Sequence, residues 1–357
     1  MSRSLRILMA GTVAGNAMQG GAAWAVLQYV LGLQRLGHRV HLVEPTPASP
    51  SDADAYFTAV MRRYDVDGER LAERRAFTDY DMVMNISGVL DGDAIAAIPI
   101  RVYLDLDPVF NQLWNEAGIE RNFAAHNHFV TVGQAIGQPG CDVPTQGRAW
   151  IPTLPPVVLQ HWPSVDGVET DAFTTVGNFR SYGSIEHNGM HYGQKAHSLR
   201  NFVELPRRSG DRFLLAMEVA AKESRDLAAL IAQGWQLVDP RPAAGTPDNY
   251  RSFIQGSLAE IGIAKSGYVI SRSGWFSDRS ACYLASGRPV VAQDTGIAAF
   301  VPVGEGLLVF EDTDGAVAAV QEVRRDYDRH SRNARHFAEE FLDSDRVLKS
   351  LLERVGA

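Results

Sequence analysis

The sequence predicts an α/β protein with two doubly wound domains that face a central cleft. Segments with strand-like and helix-like periodicity alternate from residue 6 to residue 132, and the alternation restarts near residue 173. A proline-rich stretch separates the two series. The length of 357 residues also predicts two domains, since a domain contains roughly 150 residues. Strands that alternate with helices favour parallel pairing, so we expect a mainly parallel sheet in each domain.

The first domain is predicted from a series of β-α-β units. Its first helix has apolar side chains at spacings of three and four, and Gly37 is expected to end it. The other segments continue the same alternation of short apolar runs and amphipathic stretches. We predict strands over residues 6–11, 38–44, 81–87, 101–106 and 129–132, and helices over residues 22–36 and 52–64.

The second domain is predicted after a linker at residues 138–167. This stretch contains six prolines and shows no sustained periodicity, which is typical of a connecting segment. Residues 314–355 have apolar side chains at helical spacing, with a break at 342–344. We predict further strands over residues 173–176, 213–217, 235–238, 289–293 and 307–310, and a helix over residues 224–233.

These patterns divide the chain into three parts. We expect one domain over residues 1–165, a second over residues 166–340 and a separate C-terminal helix over residues 341–357. The last helix has an apolar face suited to docking on another part of the protein. This face is formed by Val347, Leu348, Leu351, Leu352 and Val355.

Composition excludes several classes of protein. The chain has 34 lysines and arginines against 42 aspartates and glutamates, a net charge of −8, which argues against a nucleic-acid partner or an anionic membrane surface. Two cysteines cannot form a disulfide framework or a cysteine-rich metal site. The chain starts without a signal-peptide pattern and has no apolar run long enough to span a bilayer. We therefore expect a cytoplasmic protein without an integral membrane segment.

One segment of the second domain has the chemistry that a diphosphate needs. Its glycine permits close backbone approach, Ser277 can cap a helix whose amide groups face an anion, and Arg279 adds a cation. An ordinary capped helix is the alternative interpretation. The candidate ligand-binding residues here are Gly274, Trp275, Phe276, Ser277, Asp278 and Arg279.

Two glycines precede the first helix and are candidates for substrate binding. Gly20 and Gly21 can bring backbone amides close to a molecule in the cleft, or they can form a turn that needs a positive φ. The glycines at 11, 15, 20 and 21 do not have the Gly-x-Gly-x-x-Gly spacing of a dinucleotide site. An oxidoreductase is therefore the weaker interpretation.

Several polar residues are expected at the cleft because they follow predicted strands. Asp105 and Asp107 end a strand of the first domain, and one of them is a candidate acceptor contact or base, although a polar strand end is the alternative. His126 is a candidate base or a partly buried structural histidine. By the rule that ligands bind at the carboxyl ends of parallel strands, we also predict a contact from the run Asp294, Thr295 and Gly296.

Two stretches resemble bacterial group 1-like glycosyltransferases of the GT-B fold. Residues 20–44, GGAAWAVLQYVLGLQRLGHRVHLVE, resemble their acceptor-side unit. Residues 273–296, SGWFSDRSACYLASGRPVVAQDTG, resemble their nucleotide-sugar donor segment. The resemblance implies two Rossmann-like domains and a C-terminal helix that crosses back to the first domain. The family's fullest motif has two glutamates where this chain has Gly274 and Cys282.

The resemblance also implies roles for residues between these stretches. It assigns the donor diphosphate to Arg180 and Lys195, with Lys265 as a competing cation, and the nucleobase to Trp235, for which core packing is the alternative. Asp105 and Asp107 match the metal-binding Asp-x-Asp of the other large glycosyltransferase fold, but they lie in the acceptor half. Side-chain cations can stabilise a leaving diphosphate instead, so we expect no metal and no cofactor.

The function implied by the resemblance is transfer of a sugar from a nucleoside-diphosphate sugar to an unknown small-molecule acceptor. The partners expected are therefore these two molecules and no nucleic acid. Two alternatives stay open: a nucleotide-sugar epimerase or hydrolase of the same fold, and a nucleotide-sugar-binding protein without turnover.

Overall fold

Two parallel sheets organise the chain in the computed structural model, which describes residues 3–15, 17–46 and 51–357. The first sheet has the strand order β3-β2-β1-β4-β5-β6-β7, and all its neighbouring strands are parallel. Its strands are β1 (Arg6–Ala10), β2 (Arg39–Pro45), β3 (Gly68–Leu71), β4 (Met82–Ile86), β5 (Ile100–Asp105), β6 (His128–Thr131) and β7 (Trp150–Pro152). All five residues of β4 are buried, as expected for a strand covered on both faces.

The second sheet repeats this topology. Its order is β12-β11-β8-β13-β14-β15, again with parallel neighbours, and a short antiparallel hairpin of β9 and β10 follows β8. These strands are β8 (Thr170–Val176), β9 (Ile185–His187), β10 (Met190–Tyr192), β11 (Phe213–Ala216), β12 (Trp235–Val238), β13 (Ser257–Gly262), β14 (Val290–Gln293) and β15 (Leu307–Phe310). The order reverses between β1 and β4 and between β8 and β13, which are the switch points where such folds bind ligands.

Helices connect the strands and cover both sheets. They are α1 (Gly20–Arg35), α2 (Ser51–Tyr64), α3 (Gly92–Ile95), α4 (Phe110–Glu116), α5 (Lys195–Leu199), α6 (Leu205–Ser209), α7 (Ser224–Ala232), α8 (Pro240–Ala244), α9 (Pro247–Gly256), α10 (Ser266–Ile270), α11 (Asp278–Ala285), α12 (Thr313–Arg325), α13 (Tyr327–Phe337) and α14 (Ser344–Arg354). Among the described helices, none is both long enough and apolar enough to cross a bilayer.

The predicted fold class is confirmed: the chain forms two doubly wound α/β units. The interpretation of residues 138–167 as a linker alone was wrong, because this stretch contains β7, which pairs with β6. Neither β3 nor β13 was predicted. β13 lies in the middle of the second sheet, and its buried Glu260 interrupts the apolar run that would have indicated a strand.

The C-terminal helix crosses back to the first unit, as the fold class implies. α14 packs against α1, where a Cβ on Gly32 would lie only 2.4 Å from Leu348 Cδ1. At the edge of the contact, Arg35 donates to both carboxylate oxygens of Asp345, at 3.0 and 2.9 Å. The glycine therefore lets the two helices approach closely around a buried leucine.

Replacing the leucine at this contact tests its contribution to stability. Leu348→Ala is expected to lower the free energy of unfolding by about 2–5 kcal/mol, because it leaves a cavity between two packed helices. Urea unfolding followed by circular dichroism measures the loss. The control is Lys349→Ala on the exposed side of the same helix, with an expected change within about 0.5 kcal/mol. Equal effects of the two substitutions would contradict the packing role.

Candidate functional site

A cleft of about 600 Å³ lies between the carboxyl ends of the two sheets. Loops after strands of both units line it: Thr12 follows β1, Ser87 follows β4, Asp107 follows β5, Gly177 follows β8 and Lys265 follows β13. Its volume falls in the range of about 300–1,000 Å³ that is usual for small-molecule sites. The predicted position of the site is therefore matched by an actual cavity.

Two cations converge on one point of this cleft. A Cβ atom added to Gly177 would lie 3.4 Å from Nζ of Lys195 and 3.6 Å from Nη1 of Arg279. Both side chains line the cleft, and both are largely buried, with exposed fractions of 8% and 9%. The glycine thus keeps open a space in which an anion can meet both cations.

The two cations differ in how their charge is compensated. Arg279 Nε donates to Oε1 of Glu260 at 2.6 Å, and its Nη1 donates to the Val176 carbonyl at 3.1 Å. Burial by itself lowers the pKa of Arg279, but the buried carboxylate of Glu260 outweighs this effect and keeps the pKa above its usual value. Arg279 therefore stays charged and is held in one orientation.

Lys195 has no such partner. Within the described ranges, no acceptor for a hydrogen bond from its ammonium is found. Burial, together with the nearby charges of Arg279 and Lys265, holds the pKa of Lys195 well below its usual value. A buried lysine without a partner is costly to keep charged, and an anion in the cleft would restore its charge.

The amino end of α11 faces the same cleft. Ser277 caps this helix by accepting a hydrogen bond from the Arg279 amide at 3.2 Å. The helix dipole and its free amides favour an anion at this end. Asp278 also faces the cleft and is exposed to water. Desolvation of its carboxylate by neighbouring protein atoms nevertheless raises its pKa.

A second polar cluster joins the two units across the cleft. Asp107 Oδ1 accepts hydrogen bonds from Lys265 Nζ at 2.8 Å and from the hydroxyls of Tyr182 and Tyr268 at 2.6 Å each. Burial alone would raise the pKa of Asp107. The charge of Lys265 and these hydrogen bonds outweigh burial and hold the pKa below its usual value. Asp107 is thus an ionised carboxylate on the wall of the cleft.

Solved structures with the same architecture include nucleotide-bound glucosyltransferases. The chain aligns over 100% of its length with 100% of an alpha-glucosyltransferase in complex with UDP and a 13-mer DNA containing a HMU base, at 12% identity and a TM-score of 0.67. For the alpha-glucosyltransferase with UDP-glucose and DNA containing an abasic site, the identity is 12%, the coverage 99% and 100%, and the TM-score 0.64. Anabaena HepE in complex with UDP and glucose has 12% identity, 99% coverage of both chains and a TM-score of 0.61.

The chain has the GT-B fold. At 12% identity, the likeness concerns the fold and not the substrates. No family model matches the chain, and no curated protein is similar to it in sequence.

Within this fold, Asp105 does not reach the cleft. It is fully buried at the end of β5 and accepts hydrogen bonds from Asn111, Gln112 and Thr131 at 2.6, 2.7 and 2.9 Å. Burial raises its pKa to about 6 in spite of these hydrogen bonds. Asp105 therefore anchors the loop that carries Asp107 and does not pair with it at the cleft surface.

His126 is also placed away from the cleft. Its Nδ1 lies 2.8 Å from the Asn122 carbonyl oxygen, and its Nε2 lies 3.0 Å from Nδ2 of Asn85. Burial lowers the pKa of His126 to about 4, so the ring is neutral near pH 7. Its surroundings match the structural histidine that the sequence left open as an alternative to a base.

Arg180 points away from the two converging cations. Its Nε donates to Oε1 of Glu223 at 2.7 Å, and its side chain is not among the groups that line the cleft. Between the two lysines, Lys195 lies beside Arg279, whereas Lys265 is bound to Asp107. Of the cations that the resemblance suggested, the structure brings Lys195 and not Arg180 to the anion-sized space.

Trp235 is a core residue in this structure. Its ring packs beside Phe213, its exposed fraction is 2%, and its Nε1 donates to the Val203 carbonyl at 2.9 Å. The residue lies outside the cleft lining. Its surroundings match the core-packing alternative and not a nucleobase platform.

The run from Asp294 to Gly296 does not line the cleft but is hydrogen-bonded to the loop that does. The Gly274 amide donates to the Thr295 carbonyl at 2.8 Å, and the Thr295 hydroxyl donates to the Trp275 carbonyl at 2.6 Å. Gly274 itself has φ of +67° and packs against Gln134 of the first unit. Its close approach is therefore to the other unit, while residues Trp275 to Arg279 line the cleft.

Gly20 and Gly21 line the cleft at the start of α1, but they also bring the units together. A Cβ on Gly20 would lie 2.2 Å from the Thr246 carbonyl oxygen, and one on Gly21 would lie 2.8 Å from the Tyr250 ring. Both are helical, so the positive-φ turn that was left open is not observed. Close approach between α1 and the second unit explains both glycines.

Other cleft residues were missed by the sequence analysis. They lie in loops or short helices that follow strands of the second unit, and the alternation of strands and helices was the signal that could have found them. They are Gly177, Asn178, Tyr182, Glu218, Arg241, Tyr250 and Tyr268.

Replacing Trp235 tests whether it contacts the nucleobase of the donor, as the resemblance implied, or only packs in the core. Trp235→Leu is expected to destabilise the protein by about 1–4 kcal/mol through lost core packing. The affinity for UDP, measured by calorimetry, is expected to stay within about twofold, whereas loss of a stacked base would cost about 1–3 kcal/mol. Trp150→Leu, at another buried tryptophan outside the cleft, is the matched control. A much weaker affinity for UDP in the Trp235 variant alone would contradict the core assignment.

Proposed function

We propose that the protein is a glycosyltransferase that moves a sugar from a nucleoside-diphosphate sugar to a small-molecule acceptor without a metal ion. The observation that carries this proposal is the convergence of Lys195 and Arg279 on the space at Gly177, beside the amino end of α11. A diphosphate is an anion of suitable size for two cations and a helix terminus. The GT-B solved structures that bind UDP support a nucleoside diphosphate as the ligand.

In the proposed reaction, the acceptor hydroxyl oxygen forms a bond to the anomeric carbon of the sugar. The bond between that carbon and the diphosphate oxygen breaks, and its electron pair leaves with the nucleoside diphosphate. The hydroxyl proton goes to the leaving diphosphate, which becomes more basic as it departs. Lys195 and Arg279 stabilise the negative charge that develops on the diphosphate, and this stabilisation lowers the barrier.

Asp107 is the proposed acceptor contact among the three candidate catalytic residues. It is the one of the three that lines the cleft, since Asp105 and His126 are buried behind it. Its ionised carboxylate can accept a hydrogen bond from the acceptor hydroxyl and orient it. Because the pKa of Asp107 is below its usual value, it is a weak base, and we assign it orientation and not proton abstraction.

Turnover with a panel of nucleotide sugars tests the proposal. The protein is incubated with each donor, with and without acceptors, in the presence of EDTA, and release of nucleoside diphosphate is measured. Release that depends on an acceptor is expected and means transfer. Release without an acceptor would mean hydrolysis, and UDP binding without any release would favour a binding protein. Activity that vanishes with EDTA and returns with magnesium or manganese would contradict the metal-free mechanism.

Removing the Lys195 charge tests the anion site. Lys195→Met is expected to weaken UDP binding and to lower kcat/KM by roughly 10- to 100-fold, as for loss of one charge-assisted contact. Above about pH 8, where phosphate is fully ionised, UDP binding to the wild type is expected to take up a proton, because the diphosphate raises the low pKa of Lys195. UDP affinity therefore falls as the pH rises through this range.

The control for this variant is Arg180→Met, which removes a cation outside the cleft lining. It is expected to leave UDP affinity within about twofold. Calorimetry in buffers of different ionisation enthalpy measures proton uptake, which Lys195→Met should abolish. A larger loss of affinity in the Arg180 variant would reverse the assignment of the two cations.

A further inference from the structure

We call the part of the cleft that the first unit lines the acceptor side. Together with the stacked aromatic rings that face it, the acceptor side has an apolar surface and little charge. From these properties we infer that the acceptor is an uncharged molecule with a flat apolar body and a hydroxyl group. This inference names the substrate class of the proposed transferase and rests on that function.

The floor of this side is built from strand ends. Ile86, Leu106 and Val132 follow or end β4, β5 and β6, and Pro155 follows β7, so the four residues lie along neighbouring strands of one sheet. We call these four residues the apolar floor. A floor of this kind offers dispersion and hydrophobic contact but no hydrogen bonds to a sugar ring or a phosphate.

Two surfaces flank the apolar floor: one is formed by small side chains of α1, and the other is formed by two aromatic rings. Ala22 and Ala25 are one turn apart on α1, and their small side chains leave room for a body to approach the helix. Across the cleft, the rings of Tyr268 and Trp275 are stacked at 4.4 Å between centroids with an angle of 23°. A flat apolar body fits between small side chains and a stacked aromatic pair.

Charge is distributed unequally between the two sides. Among the described lining residues, Asp107 is the charged residue that the first unit contributes, and Lys265 balances its charge. The second unit contributes the other charged lining residues. They are Lys195, Glu218, Arg241, Lys265, Asp278 and Arg279.

This asymmetry argues against an anionic acceptor such as a phosphate ester or a nucleic-acid backbone, which requires cations. The amino end of α1 also lies at the acceptor side of the cleft, where a helix dipole could attract an anion. However, Gly20 packs closely against the carbonyl oxygens of Ala244 and Thr246. These oxygens reduce the attraction of the helix end for a negative charge. The donor side can hold an anion, and the acceptor side is suited to a neutral molecule.

The acceptor side still contains groups that can bind a hydroxyl. Tyr29 lines the cleft, is 2% exposed and has a hydroxyl without a hydrogen-bond partner in the described structure. Ser87 adds a hydroxyl from a backbone with φ of +52°, a conformation that is uncommon outside glycine. Thr12 and Gln19 also line this side of the cleft, so these groups together with Asp107 can orient the hydroxyl that reacts.

A matched pair of acceptors tests this class. With the nucleotide sugar that gives the largest release in the donor panel, UDP release is measured with 4-hydroxybenzyl alcohol, 4-hydroxybenzoate, glucose and a DNA duplex carrying a HMU base. We expect 4-hydroxybenzyl alcohol to accelerate release at least about tenfold more than 4-hydroxybenzoate, which differs by its carboxylate. Glucose and the DNA duplex are expected to give no acceleration.

A charge introduced on the acceptor side provides a second measurement. Ala25→Arg is expected to shift the ratio of kcat/KM for the two aromatic acceptors at least about tenfold toward 4-hydroxybenzoate. Ala25→Met adds bulk without charge and should lower both values without shifting their ratio. An unchanged ratio in Ala25→Arg would count against the charge argument.

The outcomes separate this inference from the function on which it rests. Suppose that UDP binds in calorimetry but the neutral acceptor is not preferred, or that 4-hydroxybenzoate, glucose or DNA gives faster release. Either result overturns the acceptor class and leaves the donor site standing. Absence of binding of every nucleoside diphosphate of the donor panel overturns the proposed transferase itself, and the acceptor class with it.

Discussion

A buried positive charge at the end of a parallel sheet is the constraint on which the rest of the site depends. Arg279 is neutralised by Glu260, but Lys195 forms no ion pair with a carboxylate in the described structure. Transfer of an ammonium group from water into a protein interior costs several kcal/mol even after relaxation. Without an anion this cost favours loss of the proton, as the low pKa of Lys195 indicates, and an anionic ligand is the partner that makes the charged form favourable.

The elements around this charge are rigid ones. Gly177 directly follows β8, Glu260 lies within β13, and Arg279 is in the first turn of α11. Since these strands are neighbours in the middle of the sheet, the relative positions of their side chains are fixed by backbone hydrogen bonds. The Asp107 cluster is different, because its carboxylate comes from one unit and its lysine and tyrosines from the other. Relative motion of the units therefore changes the Asp107 cluster more than the anion site.

The sequence predicted the periodic segments well and the side-chain directions poorly. The helix that became α1 and strands β11, β12 and β15 were found within a few residues, because their apolar spacing reflects burial. Arg180 and Lys195 could not be ranked, since the direction of Arg180 is set by Glu223, which is 43 residues further along the chain. Asp105 and Asp107 are two residues apart, yet one is buried at a strand end and the other lies on the cleft. No spacing rule distinguishes such positions.

The departure from the glutamate motif of related glycosyltransferases has a physical explanation in the backbone. Gly274 has φ of +67°, a conformation in which a glutamate would be strained, and its loop is fixed by hydrogen bonds to Gln134 and Thr295. At the second position, Cys282 is buried and lies 3.7 Å from Nε2 of Gln28 in α1, so a glutamate there would bury a charge between the units. The fold is thus retained while these positions serve contact between the units, and the carboxylate that α11 presents to the cleft is Asp278. If the chain binds a donor sugar as we propose, Asp278 is the carboxylate that α11 offers to it, in place of the two glutamates of the family's fullest motif.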